Sequence, residues 1–209
     1  MISVFRKNNK SIFKIVSDVF QSMIDDIQTD LSEAICGYCK GKGSLEYFCI
    51  YVRSITFIEN DFPVTKRLTL RRYICVTCGK THVVVPGTQI IPYGRYSLGF
   101  ILHVLCEYIK RDLTVRQIAE KYQISISTLY AWKHRFKKHC VLLEGKLNAL
   151  EEGYDESVED ICNDKQVGMR LHTFIETYKF AFMQIRRKEK RSYIFVLTGY
   201  FISCSRGSP

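Results

Sequence analysis

The chain has no apolar run long enough to cross a bilayer. The longest, from Tyr193 to Ile202, is interrupted by Thr198 and Gly199 and falls well short of the roughly 18 to 20 residues of a spanning helix. The opening of the chain also lacks the uninterrupted apolar core of a signal peptide, because Arg6, Lys7, Lys10 and Lys14 break it up. Secretion, and with it a disulfide framework, is therefore not expected. Internal repeats and low-complexity tracts are missing, and the composition, 46% hydrophobic, excludes collagenous and wholly disordered classes. Acidic side chains are in short supply: 21 Asp and Glu stand against 31 Lys and Arg, for a formal charge of +10. With a pI near 9.2, the chain favours a polyanionic partner.

What is present points to a globular protein. The 209 residues are 46% hydrophobic, enough for a real core in one domain or two small ones. From Ser11 to about Glu33, Ile12, Val16, Val19, Phe20, Met23, Ile24, Ile27 and Leu31 recur at helical steps. Leu45 to Ile58 and Lys66 to Ile74 are rich in aromatic and β-branched residues and read as two strands joined through Asn60, Asp61 and Pro63. Ser97 can cap a helix that carries Leu98, Ile101, Leu102, Leu105, Tyr108 and Ile109, with two more helices close behind. Leu171, Phe174, Ile175, Tyr178, Phe182 and Ile185 form a further helical stripe near the end. These spans divide the chain into an N-terminal amphipathic helix (1–34), a ribbon (35–92), a helix-turn-helix unit (93–140) and a helical C-terminal region (141–209).

Nine cysteines are an odd and rather high number. Cys36-Gly-Tyr-Cys39 and Cys75-Val-Thr-Cys78 are two CxxC elements, each a tight turn that aims two thiolates at one point. Brought together by a hairpin, they supply the four tetrahedral ligands of a closed structural zinc site. Gly37 and Gly79 suit knuckle turns. A site closed by four thiolates leaves no position for water or substrate, so it holds the fold and performs no chemistry. His82, four residues after Cys78, is expected to be a strand residue beside the site, with replacement of a thiolate as the alternative. Cys49, Cys106, Cys140, Cys162 and Cys204 sit at no ligand spacing and read as small core residues.

The stretch from Leu113 to Phe136 carries a helix-turn-helix pattern. Thr114 and Gln117 form a capping box, Ala119 lets the second helix cross closely, Tyr122 closes the first helix and Ile124 plugs the core from the turn. Ser125 caps the next helix, whose buried face is Leu129, Trp132 and Phe136. Gln123 stands where such turns often place glycine for a left-handed backbone. The residues near the start of the recognition helix that do not face the core are Ile126, Ser127, Tyr130 and Ala131, with His134 a turn later; these are the candidate base contacts. Arg116, Thr128, Lys133, Lys137 and Lys138 are candidate phosphate contacts, as are Arg67, Arg71 and Arg72 on the second ribbon strand.

In this order the elements resemble the amino-terminal part of bacterial insertion-sequence transposases and a related family described only as a domain of unknown function. The matching residues are Cys36 and Cys39, Arg71-Arg-Tyr-Ile74, Cys75 and Cys78, Thr81-His82 running to Pro86, Pro92-Tyr93, Tyr96-Ser97 and Leu113 to Phe136. The resemblance covers about residues 30 to 140 and implies DNA binding connected with transposition or its regulation. Acidic-triad transposases bring three carboxylates to two metal ions on a large mixed sheet. Here Glu144, Glu151, Glu152, Asp155, Glu156, Glu159 and Asp160 crowd one polar tract instead, so no catalytic residues are assigned.

The expected fold is α+β, mainly α: a small zinc ribbon, a three-helix helix-turn-helix unit and a helical tail. The expected protein is a non-catalytic reader of double-stranded DNA with a structural Zn2+, cytoplasmic and nucleoid-associated, without membrane or small-molecule substrate. The alternatives are a catalytic or truncated transposase subunit and a protein-interaction adaptor. Cys140, Leu143, Leu147 and Leu150 extend the recognition helix's stripe, to pack on the chain's own last helix or to form a homodimer through residues 140–150. The tract from Arg186 to Arg191 either binds phosphate or solvates a helix end.

Overall fold

The computed structural model describes Gln21, residues 31–32, 34–36, 38–86, 89–91, 94–144, 167–178, 181–184, 194–196 and 200–205. Of the expected N-terminal helix, Ser11 to about Glu33, only Gln21, Leu31 and Ser32 are among them, with Gln21 helical and Leu31 and Ser32 not; the acidic tract from Glu151 to Asp160 and the basic tract at 186–191 lie outside them.

Two long strands, β1 (Leu45–Glu59) and β2 (Phe62–Cys75), form the hairpin. They are antiparallel, with Glu59 opposite Phe62 and Leu45 opposite Cys75. Asn60 and Asp61 both have positive φ, 50° and 65°, the left-handed pair of a two-residue turn whose twist matches that of the strands. Phe48 is an extra residue between two register positions, a bulge in β1. β3 (Thr81–Pro86) joins β2 only through Arg72, Tyr73 and Ile74.

The sheet does not end with the ribbon. Strands β4 (Ile194–Val196) and β5 (Tyr200–Ser205) complete the order β1-β2-β3-β5-β4, with β5 antiparallel along all of β3. The expectation of a wholly helical tail is therefore corrected: its last described elements are strands. Three β-branched or aromatic residues on either side of a break at 197–199 are a hairpin signal, and the partner strand lies more than 100 residues away in sequence, where local periodicity does not reach.

Among the described residues four helices follow the ribbon: α1 (Leu98–Lys110), α2 (Val115–Lys121), α3 (Ile126–Glu144) and α4 (Val167–Tyr178). Among the described residues no helix is long and apolar enough to cross a membrane. Two apolar clusters result. One lies against the sheet and contains Leu45, Ile55, Phe57, Leu68, Leu70, Tyr73 and Val83. The other lies among the helices and is built on Phe100, Leu105, Ile118, Leu129, Trp132, Phe136 and Phe174. Burying each such Leu or Phe contributes about 1.5–3 kcal/mol.

The hairpin is fastened to the helices at its turn end. Thr56 N–H donates to Arg95 O at 2.9 Å and Ser97 N–H donates to Thr56 O at 3.0 Å. Arg53 donates to the carbonyl of Gly94, and Ile58 enters the helical core. The cysteine end of the hairpin is the far end: the 13 residue-to-residue steps from Ile58 back to Leu45 rise about 3.3 Å each. A short segment, residues 181–184, is wedged between the two clusters, with Ala181 in the sheet cluster and Phe182 and Met183 in the helical one.

Candidate metal centre and helix-turn-helix surface

The two CxxC elements fold as matched knuckles. Lys40 N–H donates to Cys36 O at 2.9 Å and Gly79 N–H donates to Cys75 O at 2.8 Å; Cys36 N–H donates to Gly41 O and Cys75 N–H to Lys80 O, at 2.8 and 2.9 Å. The residue after each pair is left-handed, Lys40 at φ 63° and Gly79 at φ 68°. Glycine takes that conformation without strain, and the lysine does not. Gly79 fills the position expected of it; Gly37 lies outside the described residues. Val76 N–H donates to Ser44 O at 2.9 Å and stitches the second knuckle to the first.

The four sulfur atoms converge. Cys36, Cys39, Cys75 and Cys78 place their Sγ atoms within 4.8 Å of one another, with Cys36 to Cys78 and Cys39 to Cys75 each 3.6 Å apart. A tetrahedron with metal–sulfur bonds of about 2.3 Å has sulfur–sulfur edges of about 3.8 Å, so the set can hold one metal ion. The sulfurs are not equivalent: Cys36 and Cys75 are buried and Cys39 is exposed. Burial pushes the Cys36 thiol up to about 12. Burial also acts to raise Cys75, but hydrogen bonds from Ser44, from the Cys78 backbone and from the neighbouring thiols outweigh it and bring Cys75 down to about 6.

His82 sits beside the cluster rather than in it. It lies on β3 opposite Tyr73, only 1% exposed, with Nε2 3.4 Å from Cys36 Sγ. Burial lowers its pKa to about 4, so the ring is neutral at physiological pH. Of the other thiols, Cys140 is buried in the helical core, Cys49 and Cys106 are half-buried, and Cys162 and Cys204 have no described side chain.

The helix-turn-helix is built as its residues dictate. Thr114 and Gln117 satisfy each other's backbone amides in a capping box. Tyr122 caps α2, and Gln123 is left-handed at φ 52°. Ser125 Oγ accepts from Thr128 N–H at 3.1 Å and starts α3. Ile118, Ala119, Ile124, Leu129, Trp132 and Phe136 all point inward. The opposite side of α3 faces solvent: Ser127, Ala131 and His134 are exposed, Ile126 is 45% and Tyr130 48% exposed. These five candidate base-contact residues lie together on one open helix face.

The candidate phosphate contacts are more scattered. Lys138 is exposed on α3 and Lys137 half-buried beside it. Lys133 Nζ donates to Tyr108 OH at 2.9 Å and lies over that ring, and Arg116 pairs with Glu120 at 2.9 Å. Thr128 Oγ1 is 2.8 Å from Ser125 Oγ, a capping role. On β2, Arg67 and Arg71 are exposed across from Ser54 and Ile50. Arg72 turns to the other face, its guanidinium 4.6 Å from the Tyr51 ring.

Several residues that matter here carry no local sequence signal. His103 Nε2 is 2.9 Å from Tyr122 OH, joining α1 to the end of α2, and 4.0 Å from the Asp61 carboxylate in the hairpin turn. His139, buried on α3, accepts Met183 N–H at Nδ1 at 2.8 Å, and Arg135 donates to Met183 O at 3.1 Å. Burial lowers the Arg135 pKa. Tyr178 OH donates to Leu142 O at 3.1 Å, so α4 packs on the end of α3. Cys140 and Leu143, the described start of the 140–150 stripe, are in that intrachain core, and residues 145–150 lie outside the described set. Histidine and arginine in a helical stripe give no hint of a partner 44 or 48 residues downstream.

Set against known proteins, residues 102–148 match a helix-turn-helix domain family. The match runs from within α1 through the end of α3. No curated protein and no solved structure matches the chain. The chain thus carries a helix-turn-helix domain joined to a four-cysteine centre able to hold a metal ion.

Proposed function

We propose that the protein is a non-catalytic, sequence-preferring reader of double-stranded DNA, transposase-like or regulatory, whose ribbon is held by a structural Zn2+ on Cys36, Cys39, Cys75 and Cys78. The observation that carries the reading is the open face of α3. Ile126, Ser127, Tyr130, Ala131 and His134 are exposed together on a helix whose opposite side is locked into the core. An α-helix presented in this way fits the major groove, where serine and tyrosine hydroxyls meet base edges and isoleucine and alanine meet thymine methyls. The formal charge of +10 supports a polyanion as partner. Four thiolates suit zinc, and the closed set supports a structural use of the ion, whose binding energy is folding energy for the ribbon. Arg67, Arg71 and Lys138 supply sequence-independent attraction to phosphates in this reading.

The test is binding of the zinc-loaded chain to random and selected duplexes across a salt series. Binding that weakens linearly on a log–log salt plot and favours a selected sequence supports the reading. Salt-independent or absent binding contradicts it.

A protein-interaction adaptor is the second reading, favoured by the apolar residues that crowd the cysteine end. Ile35, Tyr38, Tyr47, Phe48 and Val76 are all exposed there, a concentration of the kind found at docking sites. Co-purification with one partner, lost on Phe48→Lys while duplex binding is absent, would favour it over DNA reading.

A further inference from the structure

We infer that His82 is an outer hydrogen-bond donor of the metal centre: its Nε2–H donates to the Cys36 thiolate and keeps the ion in place, without itself being a ligand. The inference rests on the metal reading above and concerns a residue that the four-cysteine set does not account for.

A buried imidazole needs a reason. The ring is 1% exposed, and its Nδ1 has no hydrogen-bond partner among the described residues. Among the described residues its side-chain hydrogen-bond partner is Cys36 Sγ, 3.4 Å from Nε2. Burying a polar group without repayment is costly, so the sulfur contact is the interaction that holds the ring there.

The direction of the bond follows from which atom is left over. With the proton on Nε2, the atom without a partner is the Nδ1 lone pair; with the proton on Nδ1, it is a buried N–H. Orphaned buried donors are rarer than under-satisfied acceptors. A metal-bound thiolate, moreover, has no proton to give and accepts. The Nε2–H tautomer donating to Cys36 is therefore the arrangement the site selects.

The sheet sets this geometry. Tyr73 pairs with His82 and Ile74 with Thr81, so β3 leaves the second knuckle and returns alongside β2 just below Cys75. This brings residue 82 under the buried sulfur of the first knuckle. His82 thus links the second knuckle's strand to a ligand on the first. Ser44 makes a weaker case for the same role on Cys75. Its Oγ is 3.2 Å from Cys75 Sγ but also donates to Gly41 O at 3.0 Å, and it has a single proton to share.

Withdrawing charge from a buried thiolate lowers its reactivity, and fixing its direction slows ligand exchange. Outer-shell partners of metal ligands typically change affinity by about 10-fold to 100-fold when removed. A ligand role is disfavoured by the four sulfurs already meeting at one point, which leave no coordination position for the ring.

The experiment uses the full chain loaded with zinc, cobalt(II) or 113Cd. The inference predicts a four-thiolate cobalt spectrum that is unchanged in His82→Phe. It also predicts a scalar coupling in the cadmium form between the metal and the His82 imidazole proton through the Cys36 sulfur. Zinc transfer to a chelator should be about 10-fold faster or more in His82→Phe. His82→Gln, which keeps an N–H near the Nε2 position, should restore slow transfer. A cobalt spectrum that loses a nitrogen ligand in His82→Phe would overturn the inference by making His82 a ligand. Release rates indifferent to residue 82, with no cadmium coupling, would overturn it while leaving the four-cysteine centre intact. A chain that takes up no metal would sink the metal reading and this inference together.

Discussion

Tyr130 and Lys138 lie on the same helix yet should behave differently. Tyr130 is exposed near the start of α3, where a recognition helix meets base edges, whereas Lys138 is exposed about two turns further along, beyond the candidate base contacts. Tyr130→Ala is expected to relax sequence preference, costing about 1–3 kcal/mol on the preferred duplex and little on others. Lys138→Ala should weaken all duplexes alike and reduce the salt slope by about 1. Competition binding against a selected and a scrambled duplex at several salt concentrations separates the two. At the cysteines, Cys75→Ser should abolish stoichiometric zinc and unfold the ribbon, because structural zinc sites carry about 10–16 kcal/mol of coupled binding and folding energy; metal analysis and near-UV circular dichroism report this. The convergence of the four cysteines was legible because spacing within a CxxC turn is a local constraint. His139, Arg135 and His103 were not, because each acts on a partner from another part of the chain.

At the scale of elements, the motif's local chemistry predicts its own energetics. Gln123 holds a left-handed backbone at φ 52° in the turn before α3, so Gln123→Gly should stabilise the protein by about 0.5–1 kcal/mol, read by denaturant melts. The turn was foreseeable because the position expected to carry glycine is fixed by the motif. The end of α3 is secured differently. His139→Ala leaves the buried Met183 amide without its acceptor, at an expected cost of about 1–3 kcal/mol. Hydrogen exchange should then show loss of protection at Met183 while the start of α3 stays protected. The β4–β5 hairpin escaped a reading by periodicity for a physical reason: short strands gain stability from a partner's edge, and that edge belongs to β3, far away in sequence. The β1–β2 hairpin was legible, since alternation, turn residues and partner strand are all local.

For the whole molecule, the arrangement is a hairpin whose turn end is bonded to the helices and whose cysteine end stands far from them, with residues 181–184 filling the junction. Acid should act on both parts. Burial alone would raise the Glu107 carboxyl, but hydrogen bonds and charge from Lys110 and Lys121 outweigh it and hold it below its ordinary value. A depressed folded pKa means that the stabilisation is complete above the ordinary carboxylate range and is lost as pH falls through the folded value. The stability advantage of wild type over Glu107→Gln should therefore be flat near neutrality and vanish in strong acid, as thermal melts at stepped pH would show. The cysteine thiols must also be deprotonated to hold an ion, so an ion bound there should leave on acidification. In the proposed function an open helix face on a metal-braced scaffold reads base pairs. That reading is tested most directly by selecting duplexes from a random pool with the full chain while measuring metal on the same preparation. One zinc per chain and a recovered consensus that Tyr130→Ala blurs are expected; metal-replete protein that recovers no consensus, or one indifferent to Tyr130 and its neighbours on that face, overturns the reading.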